Sequence, residues 1–328
     1  MALVTQAVSI ILIGLFSLLL ALGSIQLWQV LVLVFATSAG TSFGLPARQA
    51  LLPQLVERRE IPSAVALFTA AMQTSLTYSS FLAGWSLGTL GIAATFALSG
   101  IGNASLFLAL LFIRPRGAAA PDSGQPGMLP QIREGFRYAQ HNHTVLSILI
   151  IIFTLSALGL STVANLTPNW MFQVMDVSPT TWGLLATMWG VGSLVAAYGF
   201  SAYLRQSGLS GRLFLGAALV FSVMLIVWGL NRSVPGLGVV EFTMGGSYSV
   251  VLITGAAIIQ TQVPDEIRGR VMSLFNLNQA LSMVSGIAVG GFAQGVGITT
   301  AWPLLGIALT VAVIAGAIAL PRLRQGTR

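Results

Sequence analysis

Gln262-Val-Pro-Asp-Glu-Ile267 leads into Val271-Met-Ser-Leu-Phe275, and an earlier stretch, Gln54-Leu-Val-Glu-Arg-Arg-Glu-Ile61, leads into Val65-Ala-Leu-Phe68. Each is a mixed-charge turn that opens an apolar run. The two lie 206 to 207 residues apart (271 minus 65, 275 minus 68), and one gap aligns them. The same offset carries Ala83-Gly84 onto Gly290-Gly291 and Gly88 onto Gly295. The chain contains an internal repeat, and the spacing of its copies sets the architecture.

Away from these turns the sequence is almost free of charge. Apolar residues make up 55% of the chain and charged residues 7%, with a mean hydropathy of +0.87. A soluble chain of this length needs far more charge to cover its surface. No charged side chain occurs from Met1 to Ala47, from Ile61 to Ile113, or from Val271 to Pro321. Each stretch exceeds twice the roughly 20 apolar residues that one membrane helix needs, so each holds two helices and a hairpin. A transmembrane β-barrel requires short alternating segments, whereas these runs are long and continuous.

Ten spans follow, near residues 4–22, 27–46, 61–87, 91–113, 144–165, 180–203, 213–230, 236–260, 270–295 and 299–320. With the N-terminus in the cytoplasm, Arg232 is the one arginine that falls in an outer loop. The other basic residues, all arginine, lie in cytoplasmic segments, as the positive-inside rule requires. That bias explains the net charge of +7 without invoking nucleic acid. Trp28, Trp85, Trp170, Trp182, Trp228 and Trp302 fall near outer span ends, where indole rings favour the membrane interface; Trp189 sits deeper. The first span lacks a basic n-region and is followed at once by a second, unlike a signal peptide. The segment 114–143 opens with Arg114-Pro-Arg-Gly-Ala-Ala-Ala-Pro-Asp-Ser-Gly124 and closes with Leu129, Ile132 and Phe136 at helical spacing. It reads as a cytoplasmic linker ending in a helix at the membrane surface.

Across the repeat offset, the first copy enters the third span and the second enters the ninth. The period is six helices in the same membrane orientation. Parallel six-helix repeats form the two halves of major facilitator transporters. Spans five to ten, residues 144–328, make one complete half. The four spans of residues 1–113 leave the other half two helices short. The expectation is an all-α polytopic membrane protein of the major facilitator fold with about ten helices, four plus six. It is truncated relative to twelve, the two absent helices belonging ahead of Met1.

Two motifs carry a more specific resemblance. Pro46-Ala-Arg-Gln-Ala-Leu-Leu-Pro-Gln-Leu-Val56, with Ala64-Val-Ala-Leu67 and Leu82-Ala-Gly84, resembles the turn after the fourth helix in the transmembrane secretion effector branch of that superfamily, which includes the enterobactin exporter. Val263-Pro-Asp-Glu-Ile-Arg-Gly-Arg-Val-Met-Ser273 resembles the matching signature before the eleventh helix. The sequence departs from the branch at Gly44, where an acidic residue is usual, and at Ser79-Ser80, where Gly-Pro is usual. The acidic, arginine-rich glycine loop between the branch's second and third helices is absent.

Few residues can carry chemistry. Cysteine is absent, which excludes disulfides and thiolate metal sites. The only histidines, His141 and His143, give little for a metal site. Glu241 is the one ionisable residue well inside a span. Such a group marks a functional position by default, here proton coupling, although five residues into its span it is also near enough to reach the outer interface. Thr69 and Gln73 share a helix face, as do Asn276 and Gln279, and Asn165 lies near an outer end. These read either as cavity lining or as hydrogen-bonding glue between helices. Arg48, Arg268 and Arg270 lie near Glu57, Glu60, Asp265 and Glu266. They read either as a cytoplasmic gate, which the resemblance implies, or as ordinary interfacial anchoring. Ser79, Ala83, Gly84 and Gly88, and Gly286, Gly290, Gly291 and Gly295, form small-residue stripes suited to close helix packing.

The expected function is a secondary transporter that exports a small amphipathic or hydrophobic molecule, drug- or siderophore-like, by alternating access and driven by protons. No phosphate-cradling Gly-x-x-x-x-Gly-Lys segment occurs, so ATP does not drive it within this chain. No cofactor is implied. Its partners are the lipid bilayer, the substrate and protons, and it acts as a monomer in a bacterial inner membrane with both termini cytoplasmic. One rival is a folded, non-transporting remnant of such a transporter. The other is a membrane-embedded enzyme, which would need convergent acids, bases or metal ligands beyond Glu241.

Overall fold

The computed structural model describes residues 2–38, Leu55, 61–112, 128–207 and 211–319. Among these residues the chain is helical, with short turns. The helices are α1 (Ala2–Ala21), α2 (Leu27–Ser38), α3 (Ile61–Thr89), α4 (Ile92–Phe112), α5 (Met128–His141), α6 (His143–Thr154), α7 (Ser161–Gln173), α8 (Pro179–Ser207), α9 (Gly211–Leu230), α10 (Val234–Gln262), α11 (Asp265–Val296) and α12 (Ile298–Ala319). A π-helical turn, Leu155–Leu160, joins α6 to α7 into one continuous span.

Each expected span holds one of these helices. Six are long and apolar enough to cross a membrane by composition alone: α1, α4, α6 with α7, α9, α10 and α12. Helices α3, α8 and α11 run 29, 29 and 32 residues. At about 1.5 Å per residue each exceeds the ~30 Å hydrocarbon core, but more glycines, hydroxyls and amides dilute their hydropathy. The fifth span reads as ending near 165, yet the helix continues to Gln173. Asn165, Thr167, Pro168 and Asn169 hide that last stretch from a hydropathy reading, whereas Leu166, Trp170 and Met171 on the same stretch are buried.

The chain forms two compact units. The first is Met1–Gly124 with Pro179–Gly183; the second is Gln125–Ser178 with Leu184–Arg328. The amphipathic helix of the linker, α5, thus belongs to the second unit.

In the first unit α1 and α4 pair antiparallel. Gln6 Nε2 donates to Asn103 Oδ1 at 2.8 Å and to the Asn103 carbonyl at 3.0 Å. Near the other end Ser17 Oγ donates to the Ala93 carbonyl at 2.8 Å. Between them Phe16 and Phe96 meet edge to face at 4.3 Å. The polar contacts suit a lipid setting, where apolar contact alone gives little drive for helix association.

The second unit has the larger buried core. Its helices close through glycines. A Cβ on Gly306 would lie 2.8 Å from Ile226 Cγ1 and 2.9 Å from the Ile226 backbone nitrogen, so α12 rests directly on α9. A Cβ on Gly192 of α8 would collide with the Phe242 carbonyl of α10, and one on Gly245 of α10 with the Trp189 carbonyl of α8.

The repeat is visible in the backbone. Gly91 links α3 to α4 with φ 80°, and Gly297 links α11 to α12 with φ 84°. Their separation, 297 minus 91, is 206. This left-handed backbone favours glycine, so both copies turn on the same device.

Candidate functional site

Glu241 lies on the first turns of α10. Its position near a span end leaves two sequence readings open; in the structure the residue is only 3% exposed. Oε1 accepts a hydrogen bond from Trp228 Nε1 at 2.9 Å. Trp228 comes from the last turns of α9, which the short 231–233 turn folds back against α10. Trp228 stacks on Trp302 of α12, with centroids 3.8 Å apart and planes 11° apart. Trp170 of α7 meets Trp228 at 5.4 Å and Trp302 at 5.6 Å. The Arg232 guanidinium caps this cluster, 4.6 Å from the Trp170 ring centre. A cation above an indole face is attracted to its quadrupole.

The cluster corrects the interface reading for three tryptophans. Trp170, Trp228 and Trp302 are fully buried, while Trp28 and Trp85 are exposed. Three indoles from three helices bury one another, and each helix brings its ring to the same level near a span end. A sequence reading places each ring at that level but cannot see that the rings converge.

One turn pair deeper on the same face of α10 stands Tyr248, seven residues after Glu241. Its hydroxyl donates to Asn278 Oδ1 of α11 at 3.3 Å, and Ser156 Oγ donates to the same oxygen at 3.4 Å. Asn278 Nδ2 donates to the Phe275 carbonyl at 2.8 Å. Ser156 sits in the π-helical turn, a feature that often marks functional positions. Trp189 and Phe221 pack around Tyr248 at 6.0 and 5.5 Å. This buried polar cluster joins α10, α11 and the π turn.

The sequence reading selects Asn276 and Gln279 on α11, both of which are exposed, and misses Asn278 between them. A signal for Asn278 is present. Val271, Phe275, Asn278, Ser282, Val289 and Ala293 are buried at helical spacing, so Asn278 lies on the apolar stripe where a polar residue needs a partner. Asn165 Nδ2 donates to the Ser161 carbonyl at 2.8 Å, and its side chain lies against Gly286. The side chains of Thr69, Gln73 and Asp265, and the whole of Arg48, lie outside the described residues.

The expected gate residues are distributed as follows. Glu266 is exposed. Arg268 Nη2 donates to the Val263 carbonyl at 3.2 Å, closing its own turn. Arg270 is ion-paired with Glu134 of α5, a partner outside both repeated motifs. The small-residue stripes also differ. Within the first unit, a Cβ on Gly84 would collide with the Gly183 backbone, and one on Gly88 with the Thr180 side chain. Ser79 and Ala83 instead line a cavity of about 610 Å³ between α3 and α4, with Ser75, Ser86, Thr95, Ser99 and Asn103. Positions beside Gly290, Gly291 and Gly295 are open, with nothing within 4 Å of a Cβ.

A bundle of membrane-length helices carrying an internal repeat has the architecture of the major facilitator fold. The sequence model of one family in that class, described as transmembrane secretion effector, matches residues 1–327. The chain belongs to that family. The MFS-type transporter YvqJ of Bacillus subtilis is 23% identical over 276 residues, covering 83% of this chain and 65% of YvqJ. The chain thus spans just under two thirds of that relative's length. Macrolide efflux protein A of Streptococcus pyogenes is 22% identical over 300 residues, 88% of this chain and 72% of that protein. Among solved structures, a POT family transporter superposes with a TM-score of 0.73 at 14% identity, covering 97% of this chain and 81% of its own. The nucleoside transporter NupG gives 0.68 at 11%, covering 97% and 82%. At these identities the structures establish a shared fold.

Proposed function

We propose that the protein exports a small amphipathic molecule of the macrolide kind by alternating access, with Glu241 coupling export to protons. The observation that carries the reading is Glu241 itself. It is an ionisable group buried inside a membrane helix and held by one indole donor. Such groups are costly in the bilayer and mark ion or substrate pathways. The name of the streptococcal relative supplies the substrate class. An acyl-transfer or hydrolytic enzyme would need a base, nucleophile and oxyanion donors in reach of one another, whereas the Glu241 carboxylate is held by the Trp228 indole. In this reading the protein is a monomer in a bacterial inner membrane, with both termini cytoplasmic. Reporter fusions at Ala118 and Arg328 then report cytoplasm, and one at Ser178 reports the outside.

The test is uptake of a radiolabelled macrolide by inverted vesicles under an imposed pH gradient. Glu241→Gln removes the pH-driven component and leaves membrane insertion intact. Undiminished pH-driven uptake by that variant overturns the coupling role. Failure of the unsubstituted chain to move the macrolide at any gradient overturns macrolide export by this chain.

A further inference from the structure

The linker between the halves reads from its sequence as a cytoplasmic segment ending in a helix at the membrane surface, and that helix, α5, is locked to the rest of the second unit by three separate contacts. Gly135 is buried against α11: a Cβ there would stand 2.9 Å from the Arg270 carbonyl oxygen and 3.1 Å from its carbon. Ala139, one turn on, is fully buried. Small residues at i and i+4 let two helix backbones meet directly. Glycine is a poor helix former, and the close approach to α11 is what requires it here.

The second contact runs through hydrogen bonds. Tyr138 OH donates to the Gln262 carbonyl at the end of α10, 3.4 Å away. Asn142 Nδ2 donates to that same hydroxyl at 3.4 Å. Asn142 Oδ1 in turn accepts from the backbone N–H groups of Thr144 and Val145, capping α6. The path leads from the last turn of α10, through α5, to the first turn of α6. The third contact is the Glu134–Arg270 ion pair. It is partly exposed, and such pairs add little stability; its contribution is register, since it selects one seating of α5 along α11. On its other side α5 presents Phe136 and Arg137, both exposed, as a helix at a membrane surface does.

We infer that α5 is a clamp on the arginine-bearing end of α11, with Glu134 and Gly135 as positioning residues for Arg270, so that α5, the start of α6 and the α10–α11 turn move as one body during transport. Only the final clause rests on the export reading. Arg270 is a gate candidate from the sequence, and its partner here is the linker helix.

The absence of cysteine in the chain makes a clean test available. Spin labels at Gln140→Cys and Ser273→Cys, both exposed positions, report the α5–α11 distance in lipid nanodiscs by pulsed electron resonance. The clamp gives one narrow distance that stays the same with and without a macrolide probe. Gly135→Leu broadens it by wedging the backbones apart. Glu134→Arg broadens or shifts it, and adding Arg270→Glu restores it, a recovery that general loss of folding does not produce. In vesicles, Glu134→Arg lowers macrolide export about threefold or more and the charge swap recovers it. A broad distance in the unsubstituted protein, a distance indifferent to Gly135→Leu, or failure of the swap to restore it overturns the clamp. If the distances behave as stated while no variant moves the macrolide, the clamp stands and the export reading fails.

Discussion

Helices α3 and α11 are two copies of one sequence pattern, but their glycines meet different surroundings. Gly84 on α3 presses on the backbone of Gly183, where a side-chain carbon has no room. Its counterpart Gly291 on α11 faces open space. Both helices end on a glycine of positive φ, at 80° and 84°. A repeat therefore transmits what is local, the turn and the helix phase, and leaves the partner of each face to the rest of the molecule. The buried side of α11 makes the same point. Asn278 ties it to α10 and the π turn, while Asn276, two residues earlier, is exposed.

The sharpest way to break this comparison is to put the same side chain on both copies. Gly84→Ala forces the Gly183 backbone to move and should destabilise by about 3 kcal/mol, the upper part of the range for overpacking. Gly291→Ala should be neutral, or stabilising by up to about 1 kcal/mol from helix propensity. Thermal unfolding in detergent measures both, and equal shifts would erase the distinction.

A smaller effect tests what the copies share. Gly91→Ala and Gly297→Ala each place a Cβ on a positive-φ turn, at an expected cost of about 1–2 kcal/mol. The two costs should match closely. A large loss at one turn with none at the other would mean that the glycines serve different purposes.

The smallest effect separates the two asparagines. Asn278→Leu leaves Tyr248 and Ser156 without their shared acceptor and should cost about 1 kcal/mol, since membrane hydrogen bonds average ~0.6 and reach ~1.7 kcal/mol. Asn276→Leu should stay within about 0.5 kcal/mol, as surface substitutions do. Equal destabilisation by the two would show that the buried cluster adds nothing beyond an ordinary exposed amide.

The candidate site is half legible in the sequence. Glu241 stands out because a lone carboxylate in an uncharged run has a cost that needs a reason. The tryptophan cluster that holds its indole partner does not, because indoles at span ends ordinarily mean an interface, and only the meeting of α7, α9 and α12 turns three of them inward. Asn278 is less conspicuous than its exposed neighbours, although its phase on the α11 stripe separates it from them. Arg270 reads with the acids of its own motif, and its ion pair comes from Glu134, more than a hundred residues away in sequence.

By itself the sequence determined that the chain is a bundle of membrane helices with an internal repeat. These properties rest on transfer free energy and helix period, which each segment carries alone. The tertiary structure decided which glycines press on a backbone, which tryptophans are buried against one another, and which carboxylate meets Arg270. Those outcomes depend on which helix faces which, and inside a bilayer that choice is made by close packing and scattered hydrogen bonds, not by an apolar stripe that a sequence displays.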